Sequence, residues 1–181
     1  LCRFDGQNVK VIRQEPGKAV TLKSSFCRKL LLSPDSTLFI LGNEGLSQYD
    51  LISEAFRDDI YKADTSNTTS KYIENFLLDN NNKLWVCYNS GVAAYAINEK
   101  KFYYITNRFR GKELFLDENG DILVINITED AILKIDGETL ETEFLISANS
   151  QLKTKNGYAG GVYDDHGGIW FYQTNLFLYV P

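Results

Sequence analysis

Methionine is absent from the 181 residues, histidine occurs once, and cysteine and proline occur three times each. Each scarcity removes a class of function. His166 stands alone, and Cys2, Cys27 and Cys87 form no Cys-x-x-Cys pair, so the ligand spacing of a zinc centre or a redox dithiol is missing. No run approaches the roughly 18 apolar residues that a membrane-spanning helix needs, and no leader peptide opens the sequence; any anchor is expected outside it. The missing methionine reads as a piece of a longer chain. Basic charge is not in excess either. The 19 Lys and Arg against 24 Asp and Glu leave a net charge of -5 without long blocks, which argues against a nucleic-acid surface. A Gly-rich phosphate loop and a serine nucleophile elbow are also lacking. Asp58 and Asp59 are adjacent, so on an extended chain they point apart and do not form a glycosidase pair. Catalysis, a metal and a cofactor are therefore not expected of this chain.

What is abundant is aromatic: eleven Tyr and eleven Phe, residues that suit a half-buried pleated surface. They fall in a repeat. Asp79-Asn80-Asn81-Asn82-Lys83-Leu84-Trp85-Val86 returns as Ser33-Pro34-Asp35-Ser36-Thr37-Leu38-Phe39-Ile40, as Asp117-Glu118-Asn119-Gly120-Asp121-Ile122-Leu123-Val124 and as Asp164-Asp165-His166-Gly167-Gly168-Ile169-Trp170-Phe171. Aligning Phe39, Trp85, Leu123 and Trp170 gives spacings of 46, 38 and 47 residues, the size of a four-stranded propeller blade. In the best copy, strands are expected over 72–78, 84–88, 91–97 and 101–106. Tyr49 and Tyr95 each fall ten residues after the aligned aromatic, and Phe56 and Phe102 seven after that. The third copy is two residues longer, which a longer turn at 127–130 absorbs.

The recurring Asp, Asn and Gly residues suit tight hairpins. Gly120, Gly167, Gly168 and the Asn80 to Asn82 cluster supply left-handed backbone, and Asp79, Asp117 and Asp164 can accept N–H groups of their own turns. A calcium loop starting at Asp117 is disfavoured, because the later bidentate Glu is missing. Trp85 and Trp170 sit in the apolar phase of a strand, which points to packing between blades more than to sugar stacking; Cys87 reads as a small buried hydrophobe. His166 lies inside a turn. Ligand contacts are expected instead in the loops after the Trp strand, at Asn43, Glu44, Tyr88, Asn89, Thr128, Glu129, Gln173 and Asn175, since corresponding loops of successive blades gather on one face. Arg108 and Arg110, flanking Phe109, are the one short basic cluster, suited to a sulfate, carboxylate or phosphate or simply to a solvated loop. The stretch 58–70 is the longest loop.

The stretch from Phe76 to Phe102, with Leu46-Ser47-Gln48-Tyr49-Asp50 and Leu1-Cys2-Arg3-Phe4-Asp5-Gly6, resembles the two-component regulator propeller repeats. That family's pattern is a turn with Asp and Gly, then Leu-Trp-Ile, Gly-Leu-x-x-Tyr-Asp and Phe. The departures are Phe39 and Leu123 in place of Trp and an abbreviated final strand at 176–180. The resemblance implies an extracytoplasmic, periplasmic sensor of a hybrid histidine kinase/response regulator. It also implies an oligosaccharide or other small-molecule ligand, and a kinase and membrane anchor lying elsewhere in the parent. A propeller-fold lyase or glycosidase, and a structural or protein-binding propeller, are the alternatives.

The organisation expected is thus all-β, as propeller blades at 26–60, 72–106, 112–146 and 158–181, the last lacking a strand, with the last strands of another blade at 1–13. Residues 1–13 and 158–181 duplicate a strand instead of complementing each other, which suggests part of a larger propeller of about six to eight blades. A four-bladed ring, closed by Val9 to Ile12 beside Leu176 to Val180, is the alternative. Exposed blade edges favour a homodimer or other self-association.

Overall fold

The computed structural model describes residues 1–18, 20–57, 72–106, 109–126, 131–146, 160–164, 166–172 and 176–179. It divides into two compact units, Leu1–Ile73 and Glu74–Pro181. Among the described residues every regular element is a strand. β1 (Cys2–Phe4) and β2 (Val9–Val11) form a two-stranded sheet. β3 (Cys27–Leu32), β4 (Thr37–Gly42), β5 (Gly45–Asp50) and β6 (Ala55–Phe56) form a meander paired in chain order. The same order recurs in β7 (Ile73–Leu78), β8 (Lys83–Tyr88), β9 (Gly91–Ala96) and β10 (Lys101–Thr106), and again in β11 (Gly111–Leu116), β12 (Ile122–Asn126), β13 (Ala131–Ile135) and β14 (Thr142–Ile146). β15 (Gly160–Tyr163), β16 (Ile169–Tyr172) and β17 (Leu176–Tyr179) make a three-stranded sheet. Antiparallel sheets of four strands in sequential order are propeller blades. The shared aromatic spacing has a structural cause: Tyr49 pairs with Phe56 across β5 and β6, and Tyr95 with Phe102 across β9 and β10. Their ring centroids are 5.0 and 4.7 Å apart.

The recurring turn closes the same way each time. The first residue of the phrase donates its N–H to the carbonyl of the fifth: Ser33 to Thr37, Asp79 to Lys83, Asp117 to Asp121 and Asp164 to Gly168, at 2.9–3.0 Å. The fourth residue is left-handed, with φ of 65° at Ser36, 60° at Asn82, 88° at Gly120 and 83° at Gly167. Gly168, expected among the left-handed positions, is not one. It is the fifth residue, where an extended N–H must reach the Asp164 carboxylate at 2.8 Å. That carboxylate is the hub of the turn. One oxygen of Asp79 accepts from Asn81 N and Lys83 N, both at 2.8 Å, while the other accepts the indole N–H of Trp85 at 2.8 Å. Asp164 repeats this with His166 N, Gly168 N and Trp170 Nε1. Where the aromatic is Phe39, with no N–H, the first residue is Ser33 and Asp35 serves the turn. Where it is Leu123, the second oxygen of Asp117 faces Lys134 Nζ at 3.7 Å, and Asp121 lies 2.8 Å from the same ammonium. A lysine thus sits where the calcium reading would need a metal.

In the second unit, alternation along β12 sends side chains to two interfaces. Ile122 and Val124 join Leu114, Ala131, Leu133 and Ile135 against Leu77, Trp85, Cys87, Val92 and Ala94 of the preceding blade. Leu123, Ile125 and Ile132 face Ile169 and Tyr163 of the following one. Trp85 and Cys87 are fully buried, and each large apolar side chain so enclosed contributes roughly 1.5–3 kcal/mol. β11 comes close to β8 because Gly111 lacks a side chain; a Cβ there would lie 2.6 Å from Val124 Cγ1 and 3.0 Å from Cys87 Cβ. In the first unit, Ile12 and Leu22 pack on Ile40 and Tyr49. Ile12, expected as the last residue of a strand, is instead a buried core residue just beyond β2.

Candidate functional site

Two ends of each blade differ in kind. One carries the Asp-centred turns, whose polar groups are consumed by the turns themselves. The other carries the loop after the Trp strand together with the start of the innermost strand, which antiparallel pairing brings alongside: Cys27 pairs with Gly42, and Gly111 with Asn126. A β-bulge falls at the same place in both blades, between Cys27 and Lys29 and between Gly111 and Glu113. The inner strands therefore each begin with an extra twist and a charged residue at that end.

In the first unit this end holds Asn43 and Glu44, exposed in a two-residue turn that Gly45 (φ 129°) permits. Arg28 lies beside them. Its Nη2 donates to the Gly42 carbonyl at 3.4 Å and to the Ile73 carbonyl, and its guanidinium lies 4.8 Å from the Tyr72 ring. In the second unit Asn89 is exposed, whereas Tyr88 is buried at 4%. Burial, and then the neighbouring Tyr104, push the Tyr88 phenol up to about 12. Arg110 has Nη2 3.2 Å from Glu74 Oε1, and Asn75 Nδ2 donates to Glu113 Oε2 at 2.7 Å. Arg110 therefore answers a carboxylate of its own chain, which weakens it as an anion holder. Arg108, Thr128, Glu129, Gln173 and Asn175 lie outside the described residues, as does the 58–70 loop.

The sequence did not point to a cleft that the described residues of the first unit form. It measures about 520 Å³ and is walled by Lys10, Ile12, Arg13, Tyr49, Glu54 and Phe56 among others. A smaller one of about 170 Å³ adjoins it through Lys10 and Glu54. The Glu54 carboxylate binds Lys10 Nζ at 2.5 Å and Arg3 Nη1 at 3.1 Å, and these cations hold it below the ordinary carboxylate range, Lys10 foremost. The cleft's walls come from three separate stretches; Tyr49 and Phe56 belong to the repeated aromatic spacing, but nothing in the sequence places Lys10 to Arg13 beside them. Among the described residues no group of three His, Cys, Asp or Glu is placed to hold a metal ion. His166 is exposed, and its backbone N–H is bound to Asp164.

These features define a β-propeller segment with a polar loop face. No family model matches the chain, and no curated protein matches it in sequence. Solved structures do match in fold. The extracellular domain of the hybrid two component system BT3049 from B. thetaiotaomicron aligns over 98% of this chain and 25% of its own, at a TM-score of 0.73 and 16% identity. The extracellular domain of BT4673 from the same organism aligns over 83% of this chain and 20% of its own, at 0.65 and 15%. A virginiamycin B lyase from Staphylococcus aureus aligns over 91% and 58%, at 0.67 and 9%. The chain thus spans about a quarter of the first of these proteins.

Proposed function

We propose that this chain is a segment of an extracytoplasmic, ligand-sensing propeller belonging to a hybrid two-component sensor histidine kinase, and that it works in the periplasm by binding, without chemistry on the ligand. The observation that carries the reading is the match of 98% of the chain to an extracellular sensor domain at a TM-score of 0.73. The ligand proposed is an oligosaccharide. Its support is the composition of the loop end: the side chains of Asn43, Glu44 and Asn89 are exposed and engage no protein partner among the described residues, while Arg110 is already paired with Glu74. Neutral amides and a carboxylate suit the many hydroxyls of a sugar better than they suit a single anion. Thr128, Glu129, Gln173, Asn175 and Arg108 would extend the same polar set. Signalling requires the ligand to favour one of two states of the sensor through its differential affinity, with the kinase and anchor outside this segment.

The test is calorimetric titration of the intact ectodomain with a panel of oligosaccharides. Binding of one of them without turnover, weakened by Asn43→Ala and Asn89→Ala, supports the reading; cleavage of the bound sugar overturns it in favour of the enzyme that the lyase neighbour suggests. Failure of every sugar together with stoichiometric capture of a protein would instead identify a protein-binding propeller.

A further inference from the structure

The cleft of the first unit is built on the last strands of two consecutive blades. Asp5 accepts from Gln7 N and Asn8 N at 2.9 and 2.7 Å, just as Asp50 accepts from Ile52 N and Ser53 N at 2.8 and 2.9 Å. The hairpin of β1 and β2 therefore matches that of β5 and β6, and β2, like β6, is the outermost strand of its blade. The walls come from β2, the loop after it and the β5 and β6 hairpin, and no residue of β1 lines the cleft. It thus lies at the outer rim, away from the side on which a blade carries its inner strands.

The charged residues of its wall are Lys10, Arg13, Glu15, Lys18 and Glu54. Four of them answer each other. Glu54 holds Lys10 at 2.5 Å, together with Arg3 from outside the wall at 3.1 Å, and Glu15 holds the Lys18 ammonium. Arg13 is left over: it is exposed, and its guanidinium has no partner among the described residues. Its backbone is nevertheless fixed on both sides. Ile12, just before it, donates to the Leu1 carbonyl at 2.8 Å and packs with Leu22, Ile40 and Tyr49. Just after it, Glu15 N donates to Thr21 Oγ1 at 2.9 Å, and Lys18 N closes the Pro16-Gly17 turn onto the Glu15 carbonyl at 3.2 Å. The unpaired cation is therefore carried on an anchored loop.

We propose that this cleft is a second binding site, for an organic anion bearing one carboxylate on an apolar ring. The Arg13 guanidinium clasps the carboxylate, and the ring lies against Ile12, Val20, Ala55 and Phe56, the apolar part of the wall. The volume of about 520 Å³ falls within the roughly 300–1,000 Å³ of clefts that take small organic ligands. One unpaired cation matches one negative charge. Lys10 and Lys18 are held by their own carboxylates, so a second negative charge would have to displace Glu54 or Glu15, and a neutral ligand would leave Arg13 unanswered. Asn43 and Glu44 do not line the cleft, and the site does not depend on a ligand at the loop end.

Phenylacetate is titrated into the full chain labelled with nitrogen-15, and the Arg13 Nε–H resonance is followed. A saturable shift is expected. Phenylacetamide, of the same shape without the charge, should give none at the same concentration, and phenylsuccinate, with a second carboxylate, should bind no more tightly. Arg13→Gln should weaken binding about tenfold or more, read from the line width of the ligand. Ala55→Asp, which sets a like charge on the wall, should weaken it several-fold. Lys112→Gln, at a cation of β11 outside the cleft, should leave it unchanged. Arg13 and Ala55 are both exposed, so the variants should keep the dispersed spectrum of the folded chain. Absence of saturable binding overturns the proposal, as does binding that survives Arg13→Gln or is indifferent to Ala55→Asp, or equal binding of phenylacetamide. Tighter binding of galacturonate than of phenylacetate also overturns it, because the cleft would then read the hydroxyls of a sugar instead of an apolar ring.

Discussion

Replacing Asp79 by Ala should destabilise the chain mainly through an atom that the substitution does not touch. Asp79 is 7% exposed and Trp85 is fully buried, and the indole N–H reaches only the Asp79 carboxylate, at 2.8 Å. Asn81 N and Lys83 N, which share the other oxygen, lie in a turn at the surface and can turn to water. The indole cannot. Stranding one buried donor that had a charged acceptor costs about 1.5–3 kcal/mol, and the lost turn bonds add about 1–2 kcal/mol, so Asp79→Ala should cost about 2.5–5 kcal/mol in all. Trp85→Phe removes the donor and some ring volume, at a cost of about 2 kcal/mol from the smaller side chain. In the double variant no donor is stranded. The loss in the double variant should therefore fall short of the sum of the two single losses by about 1.5–3 kcal/mol, read from urea midpoints by far-UV dichroism at unchanged m. The Asp164 and Trp170 pair, whose ring is only half-buried, should give the smaller coupling of the two. Additivity at Asp79 and Trp85 to within about 0.5 kcal/mol would refute the reasoning, because the carboxylate would then serve the turn alone.

Gly111→Ala should lower stability by about 1–3 kcal/mol in the same urea assay, since its Cβ would drive into Val124 and Cys87 at 2.6 and 3.0 Å. Tyr88 is neutral in the folded chain up to a pKa of about 12 but ionises near 10 when unfolded; its contribution is intact below pH 10 and lost as the pH rises towards 12, so Tyr88→Phe should flatten the fall in the urea midpoint across that window. The Asp164 carboxyl is held below its usual range, first by the Trp170 indole and then by the Gly168 and His166 N–H groups; its stabilisation is present above about pH 3.9 and lost as the pH falls lower, and Trp170→Phe should raise its titration midpoint measured by NMR.

The blades were legible because two independent periodicities agree. The turn phrase marks the hairpin between the first two strands, and the Tyr49 to Phe56 and Tyr95 to Phe102 spacings mark the last two, so the first two copies were fixed at both ends. What the sequence did not disclose was the link between features read separately. The acids were assigned to turns and the tryptophans to packing, but Asp at the first position and Trp at the seventh are joined by a hydrogen bond. A signal for it existed: both copies with Trp begin with Asp, and the copy with Phe39 begins with Ser33. The candidate site was less legible. Tyr88 follows the Trp strand directly, so position alone made it a loop residue; its ring instead lies inside, where burial governs its phenol. Arg110 looked like part of a basic cluster because its partner, Glu74, is 36 residues away. The cleft at Lys10, Tyr49 and Glu54 depends on three distant stretches and leaves no local pattern.

Physical demands on the loop end limit which of its residues are open to a ligand. Where the inner strands begin, the second residue carries charge: Arg28 in β3 and Lys112 in β11, each at the bulge, and Glu74 in β7. Bare like charges would repel, and lone charges would be poorly solvated so near a packed sheet. The chain answers with contacts between neighbours: Arg28 on Tyr72, Glu74 with Arg110, Asn75 with Glu113. Groups bound in this way can be recruited by a ligand only if it replaces what they lose. Groups outside the network, Asn43, Glu44 and Asn89, carry no such cost. The ligand proposed above would have to bind through many weak polar contacts, and changes in the loops would alter its selectivity while the turns and inner strands stay as they are.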